Sequence, residues 1–205
     1  AMERKFHEKG KYKGKTFVTY DNLNFENFPL VQKEKTMQIG MLGNIEPRKG
    51  VLEFVEYFGK MKIPEIKLSI AGNAKDEVYY RKIKRYIIEN KLENKSTIEG
   101  YVKDLNNWYK SNDCIISNST HEGTQTSIVE GVSTGCWAIS KNWDGADEIV
   151  DEKGLFTNIN ELEKCINLFY EWNDEERKKY INNARESLIS KLTSRPRMHE
   201  LILKL

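Results

Sequence analysis

Short apolar runs alternate along this chain with segments whose apolar residues recur every three or four positions. Short β-branched or apolar runs are typical of buried strands, and the longer spacing is typical of amphipathic helices. The predicted strands lie at 17–20, 37–43, 66–72, 113–117 and 136–140, and the predicted helices at 51–58, 78–88, 105–109, 126–132, 159–172, 174–189 and 195–205. This alternation predicts an α/β fold: a Rossmann-like, doubly wound parallel sheet with right-handed crossovers and extra C-terminal helices.

The turn after the strand at 113–117 introduces two carboxylates. Glu122 lies in the turn, and Glu130 lies roughly one turn or more into the following helix, at ~1.5 Å rise per residue. Ligands of open α/β sheets bind beyond the carboxyl ends of the strands, and free N–H groups at a helix N-terminus favour phosphate. The pattern therefore predicts that the two carboxylates bracket a phosphate. A diphosphate with a hydroxyl-rich ring at each end fits this layout.

Two glutamates at this spacing are by themselves more often solvated charges than a site. Here they lie in a strand–turn–helix unit that continues through Gly135 into another strand, a context that solvated charges do not require. The segment resembles the Glu-x7-Glu motif of family-4 glycosyltransferases of the GT-B fold. The usual form of that motif is Ser-x-x-Glu-Gly, six further residues and Glu-Ala, and Gly131 stands here where alanine is commoner.

The resemblance covers approximately residues 37–156, with weaker similarity in the last helices. The segments that carry it are 37–43 with 46–50, 66–72, 98–102 with Asp104, and 144–148. The glycine turn at 72 is not a GxGxxG fingerprint, so a dinucleotide site receives little support. The resemblance is to the C-terminal, donor-binding half of such an enzyme. It implies that the N-terminal acceptor-binding domain is missing from this chain.

The length of 205 residues suits one α/β domain and is short for two. We expect residues 1–15 to be a tag scar and a basic flexible arm, residues 16–190 the nucleotide-sugar-binding Rossmann-like domain, and residues 191–205 a C-terminal helix. An excised half of a longer protein is expected, with a naturally short chain as the alternative. We favour a solvated end for the lysine-rich arm over contact with anionic lipid.

Composition and charge exclude few functions. The net charge of +2 is too small to argue for a nucleic-acid partner. The three cysteines are scattered and odd in number, which fits a reducing compartment better than a disulfide framework. No apolar run approaches the ~20 residues needed to span a bilayer. We expect a cytoplasmic location, with peripheral contact at the inner face of the membrane left open.

The resemblance also implies roles for charged residues. Lys49 is expected to contact the donor diphosphate and to stabilise the charge of the leaving phosphate, which makes it a catalytic candidate together with Glu122. Arg48 is expected to substitute for the family's arginine, because that position holds Asn44. Glu122 is expected to accept hydrogen bonds from hydroxyls of the transferred sugar, and Glu130 from the ribose diol. An ionised carboxylate can accept from two vicinal hydroxyls at once.

The turn between the glutamates is expected to hold the sugar and the distal phosphate. The groups expected to do so are the backbone N–H groups of Gly123, Thr124, Gln125 and Thr126, with the hydroxyl of Ser127. At Gly123 a side chain could block the approach of the ligand.

The remaining aromatic side chains and His121 are not expected to take part in catalysis. Tyr101 and Val102 are expected to border the nucleotide base, although Tyr101 is equally compatible with a core position. Trp108 and Trp143 are interpreted as packing residues, because aromatic side chains supply large buried area in any small core. His121 is not assigned as a general base, since a lone histidine in a turn is more often merely exposed.

The leading hypothesis is a donor-binding domain of a retaining glycosyltransferase (hexosyltransferase). It moves a hexose-type sugar from a nucleoside diphosphate sugar to an acceptor hydroxyl, in surface polysaccharide or glycolipid synthesis. No cofactor or metal is expected, because no Asp-x-Asp cluster is present. The chain alone is expected to be an incomplete catalytic unit. The alternative is a non-catalytic nucleotide-sugar-binding module or a subunit that requires a separate acceptor protein; epimerisation and phosphorolysis are not favoured by any feature.

Overall fold

The computed structural model describes residues 25–63 and 65–193, and within them six parallel strands form one sheet. The strands are β1 (Gln38–Leu42), β2 (Lys67–Ala71), β3 (Ser96–Gly100), β4 (Cys114–Ser117), β5 (Trp137–Lys141) and β6 (Leu155–Phe156). Their order across the sheet is β3-β2-β1-β4-β5-β6, and every recorded strand pair is parallel. The direction of winding reverses between β1 and β4, where doubly wound sheets bind their ligands. The Rossmann-like prediction is confirmed.

Six α-helices connect or follow these strands within the described residues. They are α1 (Val51–Lys60), α2 (Glu77–Glu89), α3 (Leu105–Lys110), α4 (Thr126–Ser133), α5 (Ile159–Glu171) and α6 (Asp174–Thr193). Short 3-10 helices lie at Phe25–Asn27, Pro47–Lys49, Ala146–Glu148 and Glu152–Gly154. The predicted helices between 51 and 189 are confirmed. Helix α6 extends four residues beyond its predicted end at 189.

Apolar residues pack on both faces of the sheet, which explains why the central strands are continuous apolar runs. In β4, Cys114 and Ile116 join a cluster with residues of α1, α2 and α5, whereas Ile115 joins a second cluster with residues of α3, α4 and α6. Side chains alternate between the faces of a strand, so the two clusters cover opposite faces.

Two glycines permit unusually close approaches near the carboxyl ends of the strands. A Cβ on Gly131 in α4 would lie 2.7 Å from Cγ2 of Ile115, so glycine lets this helix pack close to β4. Gly72 follows β2 with φ +140°, and a Cβ there would lie 1.8 Å from the carbonyl oxygen of Gly43. The turns after β1 and β2 are therefore in direct contact, which fixes one wall of the crevice above β1.

Several predictions lie outside the described residues: the basic arm, the strand at 17–20 and the helix at 195–205. Of the helices between 25 and 193, none combines the length and the apolar character that crossing a membrane requires.

Candidate functional site

The loops after β1 and β4 and the first turn of α4 enclose a cleft at the point where the sheet reverses direction. The cleft is partly open to solvent, and its empty volume including that open part is about 630 Å³. The predicted residues that line it are Asn44, Lys49, Glu122, Thr124, Gln125, Thr126, Ser127 and Glu130. Residues from two distant parts of the sequence therefore line one cleft, whereas the predicted residues Arg48, Tyr101, Val102 and Gly123 do not line it.

The cations come from the 3-10 helix Pro47–Lys49 that follows β1. Proline at its first position has the φ that a helix start needs, and Gly50 ends it with φ 62° before α1 begins. The side chain of Lys49 then runs across Gly43, where a Cβ would lie 3.6 Å from Cε of the lysine. This path brings the ammonium group of Lys49 to the loop after β4.

Glu122, in the loop after β4, is the centre of an ion-pair cluster. Oε1 of Glu122 accepts hydrogen bonds from the ammonium of Lys49 and, at 2.6 Å, from the hydroxyl of Ser119. Oε2 accepts from Nη1 of Arg48 at 3.1 Å, and Nη2 of Arg48 donates to Glu46 at 3.0 Å. The side chain of Glu122 is only 9% exposed. The structure thus brings the two predicted cations into direct contact with the predicted sugar-binding carboxylate.

Electrostatics keeps this cluster charged. Burial by itself would raise the pKa of Glu122, but hydrogen bonds from Lys49, Ser119 and Arg48 outweigh it and lower the pKa below its ordinary value. The hydrogen bond to Glu122 raises the pKa of Arg48. Glu122 is therefore an ionised acceptor at neutral pH.

Glu130 lies in the middle of α4 and faces the same cleft. Its Oε2 accepts a hydrogen bond from the hydroxyl of Tyr109 at 2.8 Å. Burial raises the pKa of Glu130, and the hydrogen bond from Tyr109 offsets only part of that rise. Among the described residues, no donor pairs with Oε1 of Glu130, so this oxygen is available to a ligand.

The turn before α4 contains the backbone N–H groups that were predicted to hold the sugar and the distal phosphate, and that role stays a prediction. The N–H groups of Gly123, Thr124 and Gln125 have no acceptor among residues 25–63 and 65–193. The N–H of Thr126 donates to the carbonyl of Thr124 at 2.9 Å. The side chain of Gln125 is 3% exposed and donates to the hydroxyls of Ser117 and Ser140. It therefore braces the turn.

Other predicted residues are placed differently. Tyr101 is 74% exposed, so the alternative that it lies in the core is wrong. Val102 is partly buried against the cluster of α3, α4 and α6, and neither residue lines the cleft. A Cβ on Gly123 would meet no atom within 4 Å, so packing does not require glycine there. Its role in admitting a ligand stays a prediction.

Trp108 and Trp143 were interpreted as packing residues, and His121 was not assigned as a general base. Trp108 is buried, and its indole N–H donates to Ser69 at 2.9 Å, which confirms a packing role. Trp143 is partly buried. His121 is exposed, with Nδ1 3.3 Å from the hydroxyl of Thr120.

Three residues that shape the site were not assigned roles from the sequence. Ser119 occupies the serine position of the Ser-x-x-Glu motif, so a signal for it was present. Tyr109 and Asn118 carried no signal, because their partners are remote: Tyr109 holds Glu130, and Nδ2 of Asn118 donates to the carbonyl of Gly50 at 2.7 Å. Asn118 thereby ties the loop after β4 to the start of α1.

The described part of the chain contains no group of three or more His, Cys, Asp or Glu residues that could hold a metal ion. The expectation that the chain needs no metal or cofactor stays a prediction.

Sequence comparison places this site among known proteins. Residues 24–187 match the family model described as "Glycosyl transferases group 1". The poly(glycerol-phosphate) alpha-glucosyltransferase of Bacillus subtilis (strain 168) is 31% identical over 124 residues, which are 59% of this chain. The chain spans only 18% of the length of that relative.

Two solved structures show the same fold. Anabaena HepE, in complex with UDP and glucose, superposes with a TM-score of 0.76 and 18% identity, covering 92% of this chain and 57% of HepE. The C-terminal domain of the group 1 glycosyl transferase LpcC from Francisella tularensis superposes with a TM-score of 0.71 and 18% identity, covering 83% of this chain and 98% of that domain.

Proposed function

Because this chain belongs to the group 1 glycosyltransferases, as the motif around Glu122 and Glu130 predicted, we propose that its cleft binds a nucleoside diphosphate sugar. In this proposal the chain supplies the donor side of a retaining transfer of a hexose to an acceptor hydroxyl. The observation that supports it most is the arrangement of one cleft: Lys49 and Glu122 on one side, Glu130 on the other, and the start of α4 between them.

Each part of the donor finds a complementary group. The diphosphate lies at the free N–H groups of the turn before α4, within reach of Lys49 and Arg48, because anions are stabilised at such positions. Hydroxyls of the sugar donate to Glu122. The ribose diol donates to Glu130, whose Oε1 is available. Charge-assisted hydrogen bonds of this kind are stronger than neutral ones.

Catalysis in this proposal is electrostatic. As the bond from the sugar to the distal phosphate breaks, negative charge grows on the departing diphosphate, and Lys49 with Arg48 stabilises it. Preorganised cations in a half-buried cleft act more strongly than the same charges in bulk water. The acceptor is held by a further, N-terminal domain, whose closure excludes water. The chain alone therefore binds donor and turns over poorly.

The relatives support a choice of sugar and of biological setting for this proposal. The Bacillus relative is named as an alpha-glucosyltransferase of poly(glycerol-phosphate), and the HepE structure holds UDP and glucose, so UDP-glucose is the first donor to test. We place the reaction in the synthesis of a surface polymer or glycolipid. A cytoplasmic location is consistent with the free, buried cysteines Cys114, Cys136 and Cys165. The solvated end favoured for the basic arm stays a prediction, and peripheral contact at the membrane is left open.

Calorimetry of the chain with UDP, GDP, ADP and UDP-glucose tests this function. We expect one of these nucleotides to bind, and Lys49→Ala and Glu130→Ala each to weaken that binding at least tenfold. His121→Ala is the matched control, because that side chain is exposed in the same loop, and it is expected to bind like the parent. No binding by any of the nucleotides, or unchanged binding by both site variants, contradicts the proposal.

A transfer assay separates catalysis from binding alone. The full-length or reconstituted protein is expected to release UDP from UDP-glucose in the presence of an acceptor. Donor binding without any transfer would favour the non-catalytic module.

A further inference from the structure

In this structure the two cations assigned to the diphosphate, Lys49 and Arg48, are both paired with a carboxylate of the protein. Glu122 accepts from both Lys49 and Arg48, one cation on each oxygen of its carboxylate. This is the bidentate manner in which a phosphate group would accept from the same pair. The carboxylate is therefore an internal substitute for an anionic ligand.

The local charges make this competition substantial. The cluster contains two cations, Lys49 and Arg48, and two carboxylates, Glu122 and Glu46, so its formal charge sums to zero. A diphosphate that enters while this pairing persists meets no net positive charge and lies beside a carboxylate. It gains the full attraction of the cations only when Glu122 releases them.

We propose that Glu122 competes with the diphosphate for Lys49 and Arg48, an inference that rests on the proposed function. This competition makes the cleft bind the intact donor in preference to the nucleoside diphosphate product. The intact donor compensates Glu122 for the lost cations, because its sugar hydroxyls donate to the carboxylate. The product carries no sugar, so a carboxylate that is only 9% exposed would be left beside the diphosphate without its cations, which is unfavourable.

The hydroxyl of Ser119 holds Glu122 independently of the cations. The carboxylate can therefore exchange Lys49 and Arg48 for sugar hydroxyls while keeping one partner. Once the sugar has left, the carboxylate returns to the cations and displaces the product. Glu122 in this scheme determines ligand preference in addition to contacting the sugar.

The test compares the affinities of the parent chain and of Glu122→Gln for UDP, GDP and ADP, and for UDP-glucose, by calorimetry. The variant keeps the shape of the side chain and removes its charge. For the diphosphate that the parent binds, we expect about tenfold tighter binding, equivalent to about 1.4 kcal/mol. We expect UDP-glucose to bind equally or more weakly, so that the preference of the cleft for donor over product falls.

Glu46→Gln is the matched control. It removes the same charge from a carboxylate that also contacts Arg48, but Glu46 is 28% exposed and pairs with neither Lys49 nor Ser119. We expect its diphosphate affinity to change less than twofold. Glu122→Ala provides a second variant, because it leaves no acceptor for Lys49. Thermal unfolding checks that each protein is folded.

The outcomes separate this inference from the function on which it rests. If the parent binds a nucleoside diphosphate but Glu122→Gln and Glu122→Ala bind it no more tightly, the competition is refuted and the function stands. An equal gain in Glu46→Gln would also refute it, because the effect would then be one of general charge. If the parent binds none of the nucleotides, the proposed function itself fails.

Discussion

Replacing Gly131 with alanine, the residue commoner at this position of the family motif, is expected to destabilise this protein. In an exposed helix the change would stabilise by about 1 kcal/mol, because alanine has the higher helix propensity. Here the new Cβ would lie 2.7 Å from Cγ2, 3.0 Å from Cβ and 3.3 Å from Cγ1 of Ile115. A different rotamer of Ile115 cannot relieve the contact with its own Cβ, so α4 or β4 has to move.

The net magnitude follows from two opposing effects. Overpacking of a core costs about 1–3 kcal/mol, and the gain in helix propensity offsets about 1 kcal/mol of that. We expect Gly131→Ala to lower the free energy of unfolding by up to about 2 kcal/mol. Since Glu130 is the adjacent residue, the shift of α4 is also expected to weaken nucleotide binding several-fold.

Urea denaturation followed by circular dichroism measures the stability, with Gly59→Ala in α1 as the control. A Cβ on Gly59 would meet the flexible end of Leu92 at 3.1 Å, so that variant is expected to be neutral or slightly stabilised. In an Ile115→Ala background the contacts at 2.7 and 3.3 Å are removed and only the 3.0 Å contact with Cβ remains, so Gly131→Ala is expected to destabilise less than it does in the parent, which a double-mutant cycle reveals. If Gly131→Ala is as stable as the parent in the unaltered background, the argument from close packing is refuted.

Two further predictions concern the carboxylates of the cleft. The pKa of Glu122 is lowered in the folded state, so its ionised form stabilises the protein above the unfolded pKa of about 4.3, and that contribution is lost as the pH falls through the folded pKa. Glu122→Gln is therefore expected to lose less stability than the parent as the pH falls below about 4.3 in denaturation experiments, and equal losses would contradict this. Tyr109→Phe removes the hydroxyl that holds Glu130 and is expected to cost about 1 kcal/mol of stability. It is also expected to weaken nucleotide binding about threefold to tenfold by calorimetry, whereas unchanged affinity would show that Glu130 needs no positioning.

The central strands were predictable because they are buried on both faces. All four residues of β4 are buried, so an apolar run marks the strand clearly. The outer strands carry weaker signals: β3 alternates between buried and exposed positions at an edge of the sheet, and β6 has two residues. The strand at 96–100 and the strand at 155–156 were accordingly not marked by apolar runs.

Within the site, residue placements that depend on local spacing were predictable from the sequence. Residue contacts that depend on the tertiary fold were not. The placement of Glu122 in a turn and Glu130 in a helix follows from strand, turn and helix signals within one segment. The contact of Lys49 with Glu122 joins positions 73 apart in the sequence, and no local pattern specifies such a pair. Tyr101 failed as a core candidate for a related reason, since exposure depends on whether another element covers a residue.

The pairing of β1 with β4 has a consequence for how the cleft assembles. Residues 39 and 40 of β1 pair with residues 114 and 115 of β4, and between these strands the chain builds β2, β3 and three helices. The entropy of closing so long a loop must be overcome before this pairing forms, and non-local pairing slows folding. Because Lys49 follows β1 and Glu122 follows β4, the cleft exists only once the two halves of the sheet have joined. A bound nucleotide therefore stabilises that junction, and with it the whole cooperative fold, by mass action.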